Sequence, residues 1–179
     1  MTDKPDAIAL LKADHRKVED LFEKFEKAKS DSVKKSLVEQ ICKELSVHTT
    51  IEEEIFYPAC AGQIEDEDLL DESYVEHDGA KVLIAELAAS KPGDEFYDAK
   101  VKVLSEEIKH HVKEEEKRVE GLFAQARDAG LDMDVLADRM SARKEELLAD
   151  IKANGLPTPK TRSFSGHKLQ QGQPVESRA

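Results

Sequence analysis

Apolar residues recur at steps of three, four and seven from the start of the chain. Ile8, Leu11, Val18, Phe22 and Phe25 line one stripe, and that spacing predicts an amphipathic helix. Ser30-Asp31-Ser32 then supplies a turn and an N-cap for a second stripe, Val33, Leu37, Ile41 and Leu45, which is expected to end at Pro58. After a connection containing Gly62, Asp66 is a candidate cap for a third helix with Leu70, Tyr74, His77, Lys81, Ile84 and Leu87 on its inner face. Gly79 interrupts that helix at a cost of about 1 kcal/mol relative to alanine, which suggests a close backbone approach or a small kink. Lys91-Pro92-Gly93-Asp94 is expected to be a breaker and a cap, and a fourth stripe runs through Val101, Leu104, Ile108, His111, Glu115 and Leu122, closed by Gly130. A fifth amphipathic helix, about Met133 to Ala153, carries no candidate ligand and is expected to pack outside the others.

Short turns between four long helices imply antiparallel neighbours. The expected fold is therefore all-α, an up-down-up-down four-helix bundle over 1–130, followed by an accessory helix over 131–154. From Asn154 the period is lost among Gly, Pro, Ser, Thr and Gln, which predicts a disordered tail over 155–179. That tail is locally basic, with Lys160, Arg162, Lys168 and Arg178 against Glu176.

The polar residues on these apolar stripes change the picture. His48 precedes Glu52 by four residues and His111 precedes Glu115 by four, which puts imidazole and carboxylate on one helix face about 6 Å apart along the axis. His15 stands 33 residues before His48 and His77 stands 34 before His111, so the chain reads as a tandem repeat of about 63 residues. Taken one at a time, a core histidine is an ordinary hydrogen-bonded residue and a Glu-Glu-Glu run an ordinary solvated face. Four histidines and two glutamates converging on one interior are different, because each uncompensated ion there costs several kcal/mol. A metal centre compensates them. Imidazole and carboxylate without thiolate suit iron, manganese or zinc, and two repeat-related halves suit two metals. His15 and His48 are assigned to one, His77 and His111 to the other, with Glu52 and Glu115 touching both. His110 lies about 100° from His111 around the helix and is read as a surface or outer residue.

Composition narrows the partners. A net charge of −12 opposes binding to nucleic acid or to an anionic membrane surface. No run approaches the eighteen apolar residues of a membrane span, and the N-terminal apolar run is broken by Lys12 and Asp14, so a cytoplasmic protein is expected. Cys42 and Cys60 are then reduced thiols with a packing role.

Four blocks, DHRKVEDLF around His15, HTTIEEEIFYP around His48, EHDGAKVLIAEL around His77 and HHVKEEE around His111, resemble the hemerythrin-like HHE cation-binding family over roughly Ile8 to Ala126. The resemblance implies two non-haem iron ions, oxo- or hydroxo-bridged, inside the bundle. It also implies a small diatomic ligand or peroxide as partner, with an electron donor if there is turnover. Lys81 stands where the oxygen-carrying members have a further histidine. That departure points to a more open, symmetric centre that binds or senses oxygen, nitric oxide or peroxide. An oxidoreductase consuming peroxide or nitric oxide is the alternative, and a metal-free helical interaction module is the second. Tyr74 and Lys81, on the inner stripe beside His77, are candidates to contact a bound ligand.

Overall fold

A computed structural model describes residues 4–166, all of them helix, turn or extended connection, with no strand among the described residues. Helices α1 (Ala7–Lys27), α2 (Asp31–Ile51), α4 (Glu67–Ala88) and α5 (Tyr97–Glu115) pack α1 on α2, α2 on α4, α4 on α5 and α5 on α1, closing the four-helix ring. Four helix starts follow side-chain caps; α5 does not, because it begins after Phe96 at φ 63° with no side-chain cap, while the Asp94 carboxylate turns back to accept from the Lys91 N–H. Asp6, Ser30, Asp66 and Asp132 each accept a hydrogen bond from the backbone N–H three residues on.

Two helix ends differ from expectation. Pro58 does not stop the second helix. Its ring would clash with the carbonyl of Glu54 and it has no N–H to give, and the chain answers with a π turn over Glu52–Phe56 before the short helix α3, Tyr57–Cys60. Tyr57 N–H donates to the Glu52 carbonyl five residues back, so the wider turn absorbs one residue and the helix goes on. The fourth helix does not reach Gly130. It ends at Glu115, a turn follows over 116–121, and a separate helix α6, Leu122–Asp128, begins after Gly121. A Cβ on Gly121 would lie 2.5 Å from the Lys117 carbonyl oxygen and 2.6 Å from that of Glu115, so the turn closes too tightly for any side chain. At Gly79 the expected close approach is absent: a Cβ there would meet only Glu107 Oε2, at 3.9 Å, and α4 runs through unbroken.

A belt of polar residues divides the apolar interior. On one side Leu11, Ile51, Phe56, Leu122, Phe123 and Met140 pack together; on the other Phe22, Ile41, Leu45, Ile84 and Leu104 do. Helix α7 (Met133–Asn154) lies across α1, α2 and the π turn, burying Met133, Leu136, Ala137 and Met140 in the first of these clusters. The predicted tail begins as an extended strap. Residues 155–166 return to α4, where the Arg162 guanidinium sits 4.6 Å above the Tyr74 ring and Ser163 bonds Asp78. The remainder of the expected tail, 167–179, including Lys168, Glu176 and Arg178, lies outside the described residues.

Candidate metal centre

Helices α1, α2, α4 and α5 each send one histidine into the polar belt, and the π turn after α2 and the last residue of α5 each add a glutamate one turn later. His15 and His48 bring their Nε2 atoms to 3.1 Å of each other, and His77 and His111 bring theirs to 3.2 Å. Glu52 Oε2 lies 3.0 Å from His48 Nε2 and 3.3 Å from His77 Nε2. Glu115 Oε2 lies 3.4 Å from His15 Nε2 and 3.5 Å from His111 Nε2. Each glutamate thus spans both histidine pairs. All six side chains are buried, and Glu52 and Glu115 have no exposed surface.

The outward nitrogens explain which atoms face in. His15 Nδ1 donates to Glu116 at 2.7 Å, His77 Nδ1 to Glu53 at 3.1 Å and His111 Nδ1 to Glu76 at 2.8 Å. His48 Nδ1 faces Asp14 Oδ2 at 3.8 Å. These carboxylates repeat like the inward residues: Asp14 and Glu76 immediately precede His15 and His77, and Glu53 and Glu116 immediately follow Glu52 and Glu115. An imidazole whose Nδ1–H is given to a carboxylate presents its Nε2 lone pair on the other side, the tautomer and orientation a metal ligand needs. Each outer carboxylate has a basic neighbour. Glu116 pairs with Arg16 at 2.6 Å, Glu53 with Lys81 at 2.6 Å and Asp14 with Lys144, while His110 stands 3.4 Å from Glu76.

Lone pairs therefore meet lone pairs at the middle of the belt. Glu52 Oε1 and Glu115 Oε2 are buried without a hydrogen-bond partner. Burial favours a neutral His48, yet Glu52 and Asp14 outweigh it and push that imidazole up to about 10. His111 is likewise raised against its burial, by Glu115 and Glu76. Burial alone would raise the Glu52 carboxyl, but His48 and His77 hold it well below the usual range. The interior demands positive charge, and two groups, His15 with His48, Glu52 and Glu115, and His77 with His111 and Glu52, have ligand atoms close enough to share a cation. The donor set fits a transition-metal centre.

Tyr57 is the site residue that periodicity hides. Its hydroxyl donates to Glu115 Oε1 at 2.9 Å and lies 3.2 Å from His77 Nε2 and 3.4 Å from Glu52 Oε2. Five residues at α-helical spacing would leave Tyr57 about 140° from Glu52; the π turn brings it back. Tyr74, the tyrosine singled out from the sequence, is one ring further out, edge-on to Tyr57 at 5.1 Å. Lys81 reaches Glu53 and Asp78, one residue removed from His77. His110 is exposed, as expected.

The sequence profile of the Hemerythrin HHE cation binding domain matches residues 6–123, which contain all six inward ligand candidates. The chain belongs to the hemerythrin HHE cation-binding family. An HHE domain binds metal cations, and the buried histidine and glutamate clusters are compatible with that role here. The fold is similar to the crystal structure of a Hemerythrin HHE cation binding domain-containing protein from Mycobacterium kansasii, with a TM-score of 0.67 and 21% identity over 85% of this chain and 95% of that one. No curated protein matches this HHE chain at a significant level.

Proposed function

We propose that this HHE domain holds two irons, one between His15 and His48 and one between His77 and His111, bridged by Glu52 and Glu115, and that the pair binds a small ligand such as oxygen, nitric oxide or peroxide. The observation that carries the ligand class is a cavity of about 10 Å³ against the four histidines, walled by Val18, Leu45, Ile108 and Val112. That volume admits about one water-sized group, and apart from the histidines only Asp14 and Thr49 are polar in its lining, which leaves no room or donor array for a larger substrate. Phe123, stacked on His15 at 5.8 Å, and Tyr57 cover the other face, which directs a ligand to the aliphatic side. Bound iron would supply Lewis acidity and a redox couple to that ligand. The chain's part is to fix three imidazoles through Glu116, Glu53 and Glu76, with Asp14 facing the fourth at 3.8 Å, to keep water out, and to hold the Tyr57 hydroxyl as a further oxygen donor beside His77. Without a cation, burial and the Glu115 and Glu52 charges raise the Tyr57 phenol well above its ordinary value; a cation at the cluster works in the opposite sense.

Tyr57 also favours a second reading, turnover of peroxide or nitric oxide, because an oxidisable phenol stands against the cluster. One experiment separates the two. Iron per chain is measured by elemental analysis, and optical spectra are recorded after reduction and after exposure to oxygen, nitric oxide or peroxide. The proposal expects about two irons and a reversible ligand-dependent charge-transfer band. Sustained consumption of peroxide or nitric oxide with a reductant moves the assignment to an oxidoreductase, and no iron after anaerobic reconstitution leaves a metal-free helical module.

A further inference from the structure

The strap after α7 ends on a carboxylate that leads to the metal centre. Asp78 Oδ2 accepts from the Arg162 N–H at 2.7 Å, the Ser163 N–H at 2.5 Å and the Ser163 hydroxyl at 2.7 Å. The other oxygen, Oδ1, accepts from Lys81 Nζ at 3.1 Å. Lys81 Nζ is 2.6 Å from Glu53 Oε1, and that same oxygen takes the Nδ1–H of His77 at 3.1 Å. Asp78 has no exposed surface and Lys81 is also buried, although Ser163 itself stands at the surface. Asp78, Lys81 and Glu53 thus join the strap to one imidazole without a gap.

The two histidines of the other half have shorter supports. Behind Glu116 stands Arg16, more than half exposed, and behind Asp14 stands Lys144 from α7. Neither connection uses the strap. A lysine is a point charge on a four-carbon stem and does not by itself fix a carboxylate's orientation. Lys81 does so here because Asp78 anchors it, and Asp78 keeps its own orientation because three donors from the strap converge on one oxygen.

We propose that the strap is a positioning element for the His77 half of the centre. Arg162 and Ser163 fix Asp78, Asp78 fixes Lys81, and Lys81 with Glu53 sets the tautomer and tilt of His77. The inference rests on the reading of His77 as a metal ligand. It makes the two halves of a nearly symmetric site unequal, since docking of the strap supports one metal and not the other.

The test uses the full chain loaded with ferrous iron under anaerobic conditions. Ser163→Pro removes both the N–H and the hydroxyl that reach Asp78, at an exposed position outside the core; Ser163→Thr keeps both. Extraction of iron by a chelator and the Mössbauer spectrum are read for each. In Ser163→Pro one iron should leave faster than in the unsubstituted protein, by a few-fold and at most about the tenfold lower end of the range for losing a partner bonded directly to the ligand, and one of two quadrupole doublets should change. The second iron keeps its rate and its doublet, and Ser163→Thr behaves as the unsubstituted chain does. His77→Ala should remove the same iron outright. If Ser163→Pro matches the unsubstituted protein, or if both irons loosen equally, the positioning role is overturned while the metal reading stands. An unsubstituted chain that takes up no iron removes the metal reading, and this inference with it.

Discussion

His110 and His111 are neighbours in sequence with different environments. His111 is buried, with Nε2 3.2 Å from His77 Nε2 and Nδ1 on Glu76, whereas the His110 side chain is 62% exposed and meets Glu76 at 3.4 Å. His111→Ala should lower the iron content by about one per chain and lower the melting temperature of the loaded protein by several degrees, because removing a ligand also removes binding free energy from the folded state. His110→Ala should change neither; elemental analysis and a thermal melt decide. This distinction was legible in the sequence, since the apolar stripe through Leu104 and Ile108 reaches residue 111 and the repeat pairs it with His48. The outer carboxylates were not. Glu53 and Glu116 sit inside Glu-Glu-Glu runs that read as solvated faces, and Asp14 and Glu76 read as ordinary polar residues. Their signal was the repeat itself, which conserves an acid before the first histidine of each half and another after each inward glutamate.

At the level of elements, helix starts were easier to read than helix ends. A cap is a local side chain with a local partner, so Ser30 and Asp66 announce α2 and α4 directly. Breakers are read through what the surrounding packing allows. Pro58 became the occasion for a π turn because Ile51, Ile55 and Phe56 before it and Cys60 after it are all committed to the same core. Gly121, which stands 63 residues after Pro58, instead permits a complete break before α6. Gly121→Ala forces a methyl group onto the carbonyls of Glu115 and Lys117, backbone atoms that cannot swing aside. It should cost about 2 kcal/mol, in the range of core overpacking, seen as a lower denaturant midpoint, and should disturb the centre because the displaced backbone carries Glu115. Tyr57 belongs to this scale as well: no α-helical period brings it inward, and the π turn that does was not visible in the spacing of apolar residues.

For the whole molecule, the all-helical bundle followed from the stripes and turns, whereas the path of the strap did not, because a segment that docks through two backbone N–H groups, one hydroxyl and one guanidinium leaves no apolar period to read. The end of the bundle remote from the centre sets an alkaline limit. Burial pushes the Cys42 thiol and the Tyr97 phenol each up to about 12, from ordinary values of 9.0 and 10.0. The folded protein therefore keeps protons that the unfolded chain gives up between about 9 and 12. Stability from these two groups is fully present below pH 9 and falls as pH rises through that window. Denaturation midpoints measured at pH 8, 10 and 11 should decline in that order, and Cys42 should resist alkylation at pH 8 in the folded state.

The crossing of the two glutamates has a consequence for assembly. His15 and His48 come from the first half of the chain and His77 and His111 from the second, yet Glu52 reaches His77 and Glu115 reaches His15. Two separate copies of one helical hairpin, related by a twofold axis, could complete the same cluster, but only where they met in solution. Joined in tandem, each half always faces the other at a fixed high effective concentration. Closure of the centre is then independent of how much protein is present, and a single chain at great dilution keeps a site that a pair of free hairpins would lose.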